Sequence, residues 1–347
     1  MSTSISRRDF LKLSGAGLLG LAFRKYTPGF KDINIESDDL ARVAIRSVSI
    51  YSRPDDKSSI LYQRYRDELL NIYADVISEF GPGYNPLWHR VWRGYVHSAH
   101  MQRVKYQLNP ITEKFSAKGQ LGEISVPYVQ SYRYNIYTHW QPEYRLYYQS
   151  THWVMGIDVG PDSKPWYRLK DELLDIEYLV PADHVRLIQP EELTPISPTV
   201  PSGKKRIEIS LARQMLKAYE NDQVVLETKI ASGIPDPNRP TGQIPTSTPT
   251  GEFNVYSKMP SKHMGDGNLT SDLNAYELPG VPWACFFAPN GVATHGTYWH
   301  NNFGVPMSHG CINMRTEEAR WIFRWTNPVT PIDKIETTGL GTRVIVT

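Results

Sequence analysis

Two short segments near the C-terminal end carry residue types suited to cysteine acyl transfer. They are Thr294-His295-Gly296-Thr297 and Ser308-His309-Gly310-Cys311-Ile312-Asn313. A thiol attacks a carbonyl well only as thiolate, and a free cysteine titrates near ~8.5. Cys311 therefore needs a positioned base or a positive environment. Two histidines are on offer. His309 precedes Cys311 by two positions, and residues two apart in an extended segment point the same way. His295 lies further upstream and reaches the thiol only if its strand pairs beside the Cys311 segment. Gly304 and Pro306 in the intervening loop permit that return. Gly310 removes a side chain next to the nucleophile, so a substrate carbonyl and backbone N–H donors can approach closely.

A lone cysteine is more often a small core residue than a catalyst. Cys285, inside Trp283-Ala284-Cys285-Phe286-Phe287, fits the core reading. Cys311 does not, because Ser, His, Gly and Asn make poor core composition. Two cysteines exclude a disulfide scaffold, and pairing them would consume the nucleophile. A zinc site from His295, His300, His309 and Cys311 lacks the usual ligand spacing. His263 and His300 read as loop residues.

Several elements must position these groups. Arg206 to Leu211, Met215 to Glu220 and Gln223 to Ile230 read as consecutive antiparallel strands, with Asn221-Asp222 as a turn. Gly233 to Gly251 is loop-like. Trp283 to Ala288, Gly291 to His295 and Thr342 to Val346 read as further strands. Thr316 to Thr326 reads as a helix, with Thr316 as its cap and Glu317 and Glu318 in its first turn. Residues 204–347 thus form a mainly β domain with one helix near Cys311.

Further upstream, Ser6-Arg7-Arg8-Asp9-Phe10-Leu11-Lys12 and the apolar stretch to Phe23 read as a twin-arginine export signal or anchor, residues 1–23. The apolar run is short for a spanning helix. Residues 24–40 read as a linker and 41–105 as a small β domain, in which Arg64 to Ser78 suits strand or helix equally. A second β module covers 106–189, and the Pro-rich stretch 190–203 reads as a semi-rigid linker. Trp88, Arg90, Tyr95, Ala99 and Arg103 are echoed by Trp166, Arg168, Tyr178, Ala182 and Arg186. The net charge is +2, and Lys204-Lys205-Arg206 is the one basic cluster, read as a solvated strand start. Nucleic-acid binding therefore has no electrostatic footprint.

The first copy of the echo, with Gly94-Tyr95-Val96, resembles a bacterial SH3-like barrel, a peptide- or wall-binding module. The Cys311 segment resembles the S/T-H-G-C-hydrophobic-N/R signature of the L,D-transpeptidase (YkuD-type) catalytic domain. His295-Gly296-Thr297 and Thr248-Pro249-Thr250-Gly251-Glu252-Phe253 resemble two further family stretches. The resemblance implies a C-terminal β-sandwich with a short helix by the active site, Cys311 as nucleophile and His295 as general base and acid, its ring oriented by the Gly296 carbonyl. His309 and Ser308 would support the site. Backbone N–H groups around Gly310 and Cys311 would form the oxyanion hole, and Asn313 would hold the loop or substrate. Tyr298 and Arg315 are flanking residues of the packing or substrate wall. The implied reaction cross-links peptidoglycan stem peptides through a thioester, releasing D-Ala, with no metal or organic cofactor. The implied partners are stem peptides as donor and acceptor, and the cell wall, outside the cytoplasmic membrane; membrane contact would come only through an uncleaved signal. The rival readings are an L,D-carboxypeptidase on the same fold and an inactive wall-binding protein.

Overall fold

The computed structural model describes residues 39–236, 238 and 246–347. The twin-arginine stretch and nearly all of the linker after it lie outside them. The first eight strands are β1 (Leu40–Val43), β2 (Ser47–Tyr51), β3 (Ile60–Tyr65), β4 (Leu69–Asn71), β5 (Ala74–Ile77), β6 (Leu87–Val91), β7 (Gly94–His97) and β8 (Met101–Val104). They form two sheets, β4-β1-β8 and β3-β2-β7-β6-β5. Ala41, Val43, Ile50, Leu70, Val96 and Met101 fill the core between them. The ambiguous Arg64–Ser78 stretch is strand and turn throughout its ordered elements.

Seven further strands make one sheet: β9 (Gln120–Ile124), β10 (Tyr128–Asn135), β11 (His139–Tyr147), β12 (Thr151–Val159), β13 (Pro165–Asp171), β14 (Ile176–Pro181) and β15 (Val185–Leu187). Their order is β11-β10-β14-β13-β12-β9-β15. The sequence echo has a structural counterpart. Trp88 and Trp166 sit on β6 and β13, and each is followed by a strand, a 3-10 turn (Ser98–His100, Ala182–His184) and a short last strand. Both Trp and both Ala of the repeat are buried.

The C-terminal part contains β16 (Lys205–Ser210), β17 (Met215–Glu220), β18 (Gln223–Lys229), β19 (Gly251–Asn254), β20 (Ser257–Gly265), β21 (Glu277–Ala288), β22 (Val292–Gly296), β23 (Ile312–Met314), helix α1 (Thr316–Trp325), β24 (Thr337–Thr338) and β25 (Arg343–Val346). One sheet runs β18-β17-β16-β25-β19, the other β23-β22-β21-β20-β24. Asn221 and Asp222, both at positive φ, close the β17–β18 hairpin as a two-residue turn requires. Ile207, Ile209, Leu216 and Val344 of one sheet share a core with Trp283, Phe287 and Ile312 of the other. Ala319, Ile322 and Phe323 of α1 join it, as do Leu121 and Trp153 from the seven-stranded sheet. The protein is mainly β.

Helix α1 departs from expectation at its start. Arg315, not Thr316, is the N-cap, and its side chain makes no capping bond. At its other end two lysines satisfy the exposed carbonyls. Lys205 Nζ donates to Trp325 O at 3.0 Å and Lys258 Nζ to Thr326 O at 2.8 Å. Cations suit a helix C-terminus, where unpaired carbonyls and the dipole are negative. Both lysines are buried, so Lys205 is no solvated strand start. The stretch 190–203 packs along the same helix: Arg320 holds the Glu192 carboxylate at 2.7 Å, and Arg324 Nε donates to Thr194 O at 2.9 Å.

His263 is a second correction. It lies on β20, not in a loop, and is 2% exposed. Its Nδ1 meets Asp171 at 2.6 Å and its Nε2 meets Glu277 at 2.8 Å, so it ties β13 to β21. Burial alone would lower its pKa, but the hydrogen bonds and charges of Asp171 and then Glu277 more than offset this, and the pKa is raised. A raised folded-state value contributes stability that is fully present below the unfolded value of ~6.5 and fades as pH rises through the folded one. We expect His263→Gln to lower the melting temperature most at pH 5.5–6.5, with the gap to wild type narrowing toward pH 9. A gap constant across that range would mean the ring is held neutral.

Candidate active site

Residue parity on β22 and β23 builds the site. The two strands run parallel, with Thr294 beside Ile312, His295 beside Asn313 and Gly296 beside Met314. Side chains alternate along a strand. Ile312 and Met314 enter the core, so Asn313 faces the opposite way, and His295 with it. Cys311, two before Asn313, adjoins the same face at the head of β23. The return that makes the pairing parallel is the segment from Thr297 to Cys311, long enough for a crossover.

His295 is 2% exposed. Its Nδ1 lies 3.0 Å from the Gly296 carbonyl, which accepts the Nδ1 proton and leaves Nε2 as the acceptor nitrogen. Burial lowers its pKa to about 4, against the opposing pull of the Gly296 carbonyl. The Cys311 thiol donates to the Gly291 carbonyl at 3.7 Å. Burial pushes its pKa up to about 11, offset in part by a backbone hydrogen bond from Ala293. Cys285 is likewise free, but 1% exposed within the core.

These two shifts run in opposite directions and favour the same resting state, a neutral thiol and a neutral imidazole. An ion-paired thiolate would react with alkylating agents at neutral pH. We instead expect the iodoacetamide rate at Cys311, followed by peptide mapping, to keep rising through pH 9–10. A plateau already reached by pH 7 would contradict the neutral pair.

Residues around the thiol are held by a backbone-centred network. Ser308 Oγ donates to Cys311 O at 2.5 Å and accepts from Gly310 N–H at 3.1 Å. That Gly310 N–H would be shared with Ser308 if it also served an oxyanion. Gly310 has φ of +121°, a conformation side chains disfavour. Its carbonyl accepts from Thr248 Oγ1 at 2.7 Å, and Thr248 in turn accepts from Gly233 N–H at 2.9 Å. A Cβ on Gly233 would stand 2.7 Å from the Gly310 Cα. This close packing gives the Thr248-Pro249-Thr250-Gly251 stretch a physical role: it supports the loop under Cys311.

His309 is exposed, and its ring lies 5.3 Å from that of Tyr276. Tyr276 and Tyr256 both have raised pKa values, from burial and then from the charge Cys311 would carry as thiolate. Neither tyrosine was signalled by spacing; both lie in loops distant in sequence from Cys311, just before β20 and β21. Tyr298 is buried with its hydroxyl given to Pro279 O at 3.0 Å. Arg315 lies over the Phe303 ring at 4.7 Å and near Glu318 at 3.4 Å. Tyr298 is a packing residue of the crossover, whereas Arg315 is exposed at the N-cap of α1 and covers Phe303 from outside.

His300 stays in the loop but is 5% exposed. Its Nδ1 accepts the Asn302 N–H at 3.1 Å and its Nε2 lies 2.8 Å from the Asn313 amide nitrogen; a neutral imidazole cannot accept at both nitrogens, so the pair is satisfied with the Asn313 amide turned over and its oxygen accepting the Nε2 proton. Burial lowers its pKa to about 3, helped by His100 and His295. The crossover is held from outside by the first strands. Asn301 N donates to Ala99 O at 2.8 Å, Asn85 Nδ2 to Asn301 O at 3.1 Å, and Arg42 Nη2 to Tyr298 O at 3.0 Å. Sequence separation hid these partners.

Comparison with known proteins concerns the C-terminal part. Residues 204–346 match the YkuD family, described as the L,D-transpeptidase catalytic domain. A putative L,D-transpeptidase YkuD of Bacillus licheniformis is 28% identical over 117 residues, 33% of this chain and 55% of that protein. A crystal structure of an Enterococcus faecium L,D-transpeptidase is 26% identical, with a TM-score of 0.30, covering 42% of this chain and 50% of that one. An L,D-transpeptidase from Mycobacterium smegmatis is 19% identical, with a TM-score of 0.32, covering 50% of this chain and 73% of that one. The chain thus spans about half the length of the Bacillus and Enterococcus proteins.

Proposed function

We propose, from the premise that residues 204–346 are an L,D-transpeptidase catalytic domain of the YkuD family, that this chain cross-links peptidoglycan stem peptides through a thioester on Cys311. The supporting observation is the parallel register that sets His295 and Cys311 on one face, with the His295 Nδ1 proton committed to Gly296 O.

In the reaction, His295 Nε2 takes the Cys311 proton as the sulfur attacks the carbonyl between the third stem residue and the terminal D-Ala. Coupling removal of the proton to attack suits a thiol whose resting pKa is high. The C–S bond forms, the tetrahedral oxyanion collapses, and the C–N bond breaks. His295 returns the proton to the leaving D-Ala amine. An amine of a neighbouring stem then attacks the thioester and gives its proton to His295; the C–S bond breaks as the amide cross-link forms, and His295 returns that proton to the Cys311 sulfur. Backbone N–H groups at Gly310 and Cys311 stabilise the oxyanion, and Asn313 holds the loop. Water in place of the amine would make the chain an L,D-carboxypeptidase.

We place the reaction outside the cytoplasmic membrane, reached through the twin-arginine segment, and read the β1–β8 module as SH3-like. The test is intact-protein mass after mixing the full chain with a stem tetrapeptide. A gain equal to the tripeptide acyl group, with D-Ala released, supports the acyl-enzyme. A cross-linked dimer on adding a second stem supports transfer, and tripeptide acid alone supports hydrolysis. No adduct and no D-Ala would overturn the proposal.

A further inference from the structure

Where β1 and the β3–β4 turn meet β11 and the loop from Asp266 to Tyr276, a cavity of about 150 Å³ opens. Three guanidinium groups line it, from Arg42, Arg66 and Arg145. Their hydrogen bonding is uneven. Arg42 is fully engaged: Nη1 to Asp67 at 2.8 Å, Nε and Nη2 to Gln102, Nη2 also to Tyr298 O, with its plane 4.0 Å over Tyr147. Arg145 shares that same Asp67 carboxylate at 2.7 Å, and its buried Nε has no partner among the described residues. Arg66 donates only to neutral groups, the Leu273 carbonyl and the Asn274 amide.

Two carboxylates share the wall, Glu277 and Asp272. Glu277 binds His263 Nε2 at 2.8 Å and the N–H groups of Gly267 and Asn268. Asp272 accepts from Asn274 N–H within its own loop. Asp272 takes its bonds from Asn274 through Oδ1 alone and keeps Oδ2, so the lining sets three guanidinium groups against two carboxylates, of which Glu277 is committed elsewhere. Guanidinium N–H groups in a fixed fork are suited to a planar carboxylate.

Its position indicates which carboxylate. Trp299 lines the cavity, and its ring stands 5.8 Å from that of His295. Tyr276, at the end of the same loop, stands beside His309. The cavity thus lies on the His295 side of the thiol. The amine that attacks the thioester must give its proton to His295, so it approaches from that side.

Resting on the transpeptidase reading above, we infer that this cavity is a carboxylate site for the acceptor stem, with Arg66 and Arg145 as its ligands. The site would hold the acceptor's carboxylate while its amine reaches past Trp299.

The test needs binding without turnover. The full chain carrying Cys311→Ala is titrated calorimetrically with a stem tripeptide, and with the same peptide amidated at its carboxylates. A carboxylate held by two guanidinium groups should bind about 10-fold or more tighter than its amide. That gap should shrink in Arg66→Gln and fall within about 2-fold in Arg66→Gln/Arg145→Gln. Arg66→Gln touches only the loop, so it reports even if the double variant fails to fold. Equal affinity for both peptides, or a gap unchanged in Arg66→Gln, overturns the site. Because this readout needs no thioester, a chain that acylates but shows no gap refutes only the cavity, and one with the gap but no adduct refutes only the chemistry.

Discussion

Cys311→Ala should leave a folded protein that gains no mass from a stem tetrapeptide and releases no D-Ala. The expected effect is total for the acyl step, since an alanine methyl has no electron pair to give the carbonyl. The change removes one sulfur atom at a half-buried position that donates one long hydrogen bond to Gly291 O and accepts one from the Ala293 backbone, so the melting temperature should hold within about 2 °C. Any thioester-sized adduct on the variant would move the nucleophile elsewhere. Cys285 is the one other thiol in the sequence, and it is buried 1% exposed beside Thr326.

His295→Ala should slow acylation by about 10²–10⁴-fold, the usual contribution of a positioned acid–base group. The wild-type dependence on pH gives the prediction a sign. His295 must be neutral to accept a proton, and its pKa is lowered to about 4 by burial. Acylation should therefore keep most of its rate from pH 7 down to pH 5.5 and fall only nearer pH 4. In His295→Ala that acid limb should vanish, while the residual rate should rise toward pH 11 as the thiol ionises unaided. Stopped-flow or quench mass measurements across pH would read both. An acid limb well above pH 4 would mean that a base other than His295 takes the proton.

Much of this arrangement was legible in the sequence because it is local. Alternation over Arg206 to Leu211, the Asn221-Asp222 turn and the apolar stripe of α1 each depend on neighbours within a few residues, and all three elements are present. The site segment was legible through its residue types, though its two candidate bases could not be separated by spacing alone. What could not be read are the contacts closed by the tertiary fold. His263 meets Asp171 and Glu277; Lys205 reaches Trp325 O; His300 meets Asn313. A polar side chain in a short window looks solvated, and only its distant partner makes burial affordable. The Pro-rich stretch shows its stiffness in composition, but not the α1 surface it lies on.

The crossover from Thr297 to Cys311 has a consequence for how such a chain can be divided. By sequence match the catalytic portion begins at residue 204. Mechanically it begins earlier, since Ala99, Asn85 and Arg42 grip the crossover between the His295 and Cys311 strands, and Trp153 and Leu121 complete the sandwich core. A fragment cut at 204 would keep His295 and Cys311 while losing the outer braces of the span between them. In a modular gene such a part cannot be exchanged freely: a graft of the catalytic piece onto another scaffold would have to bring those braces along or evolve substitutes.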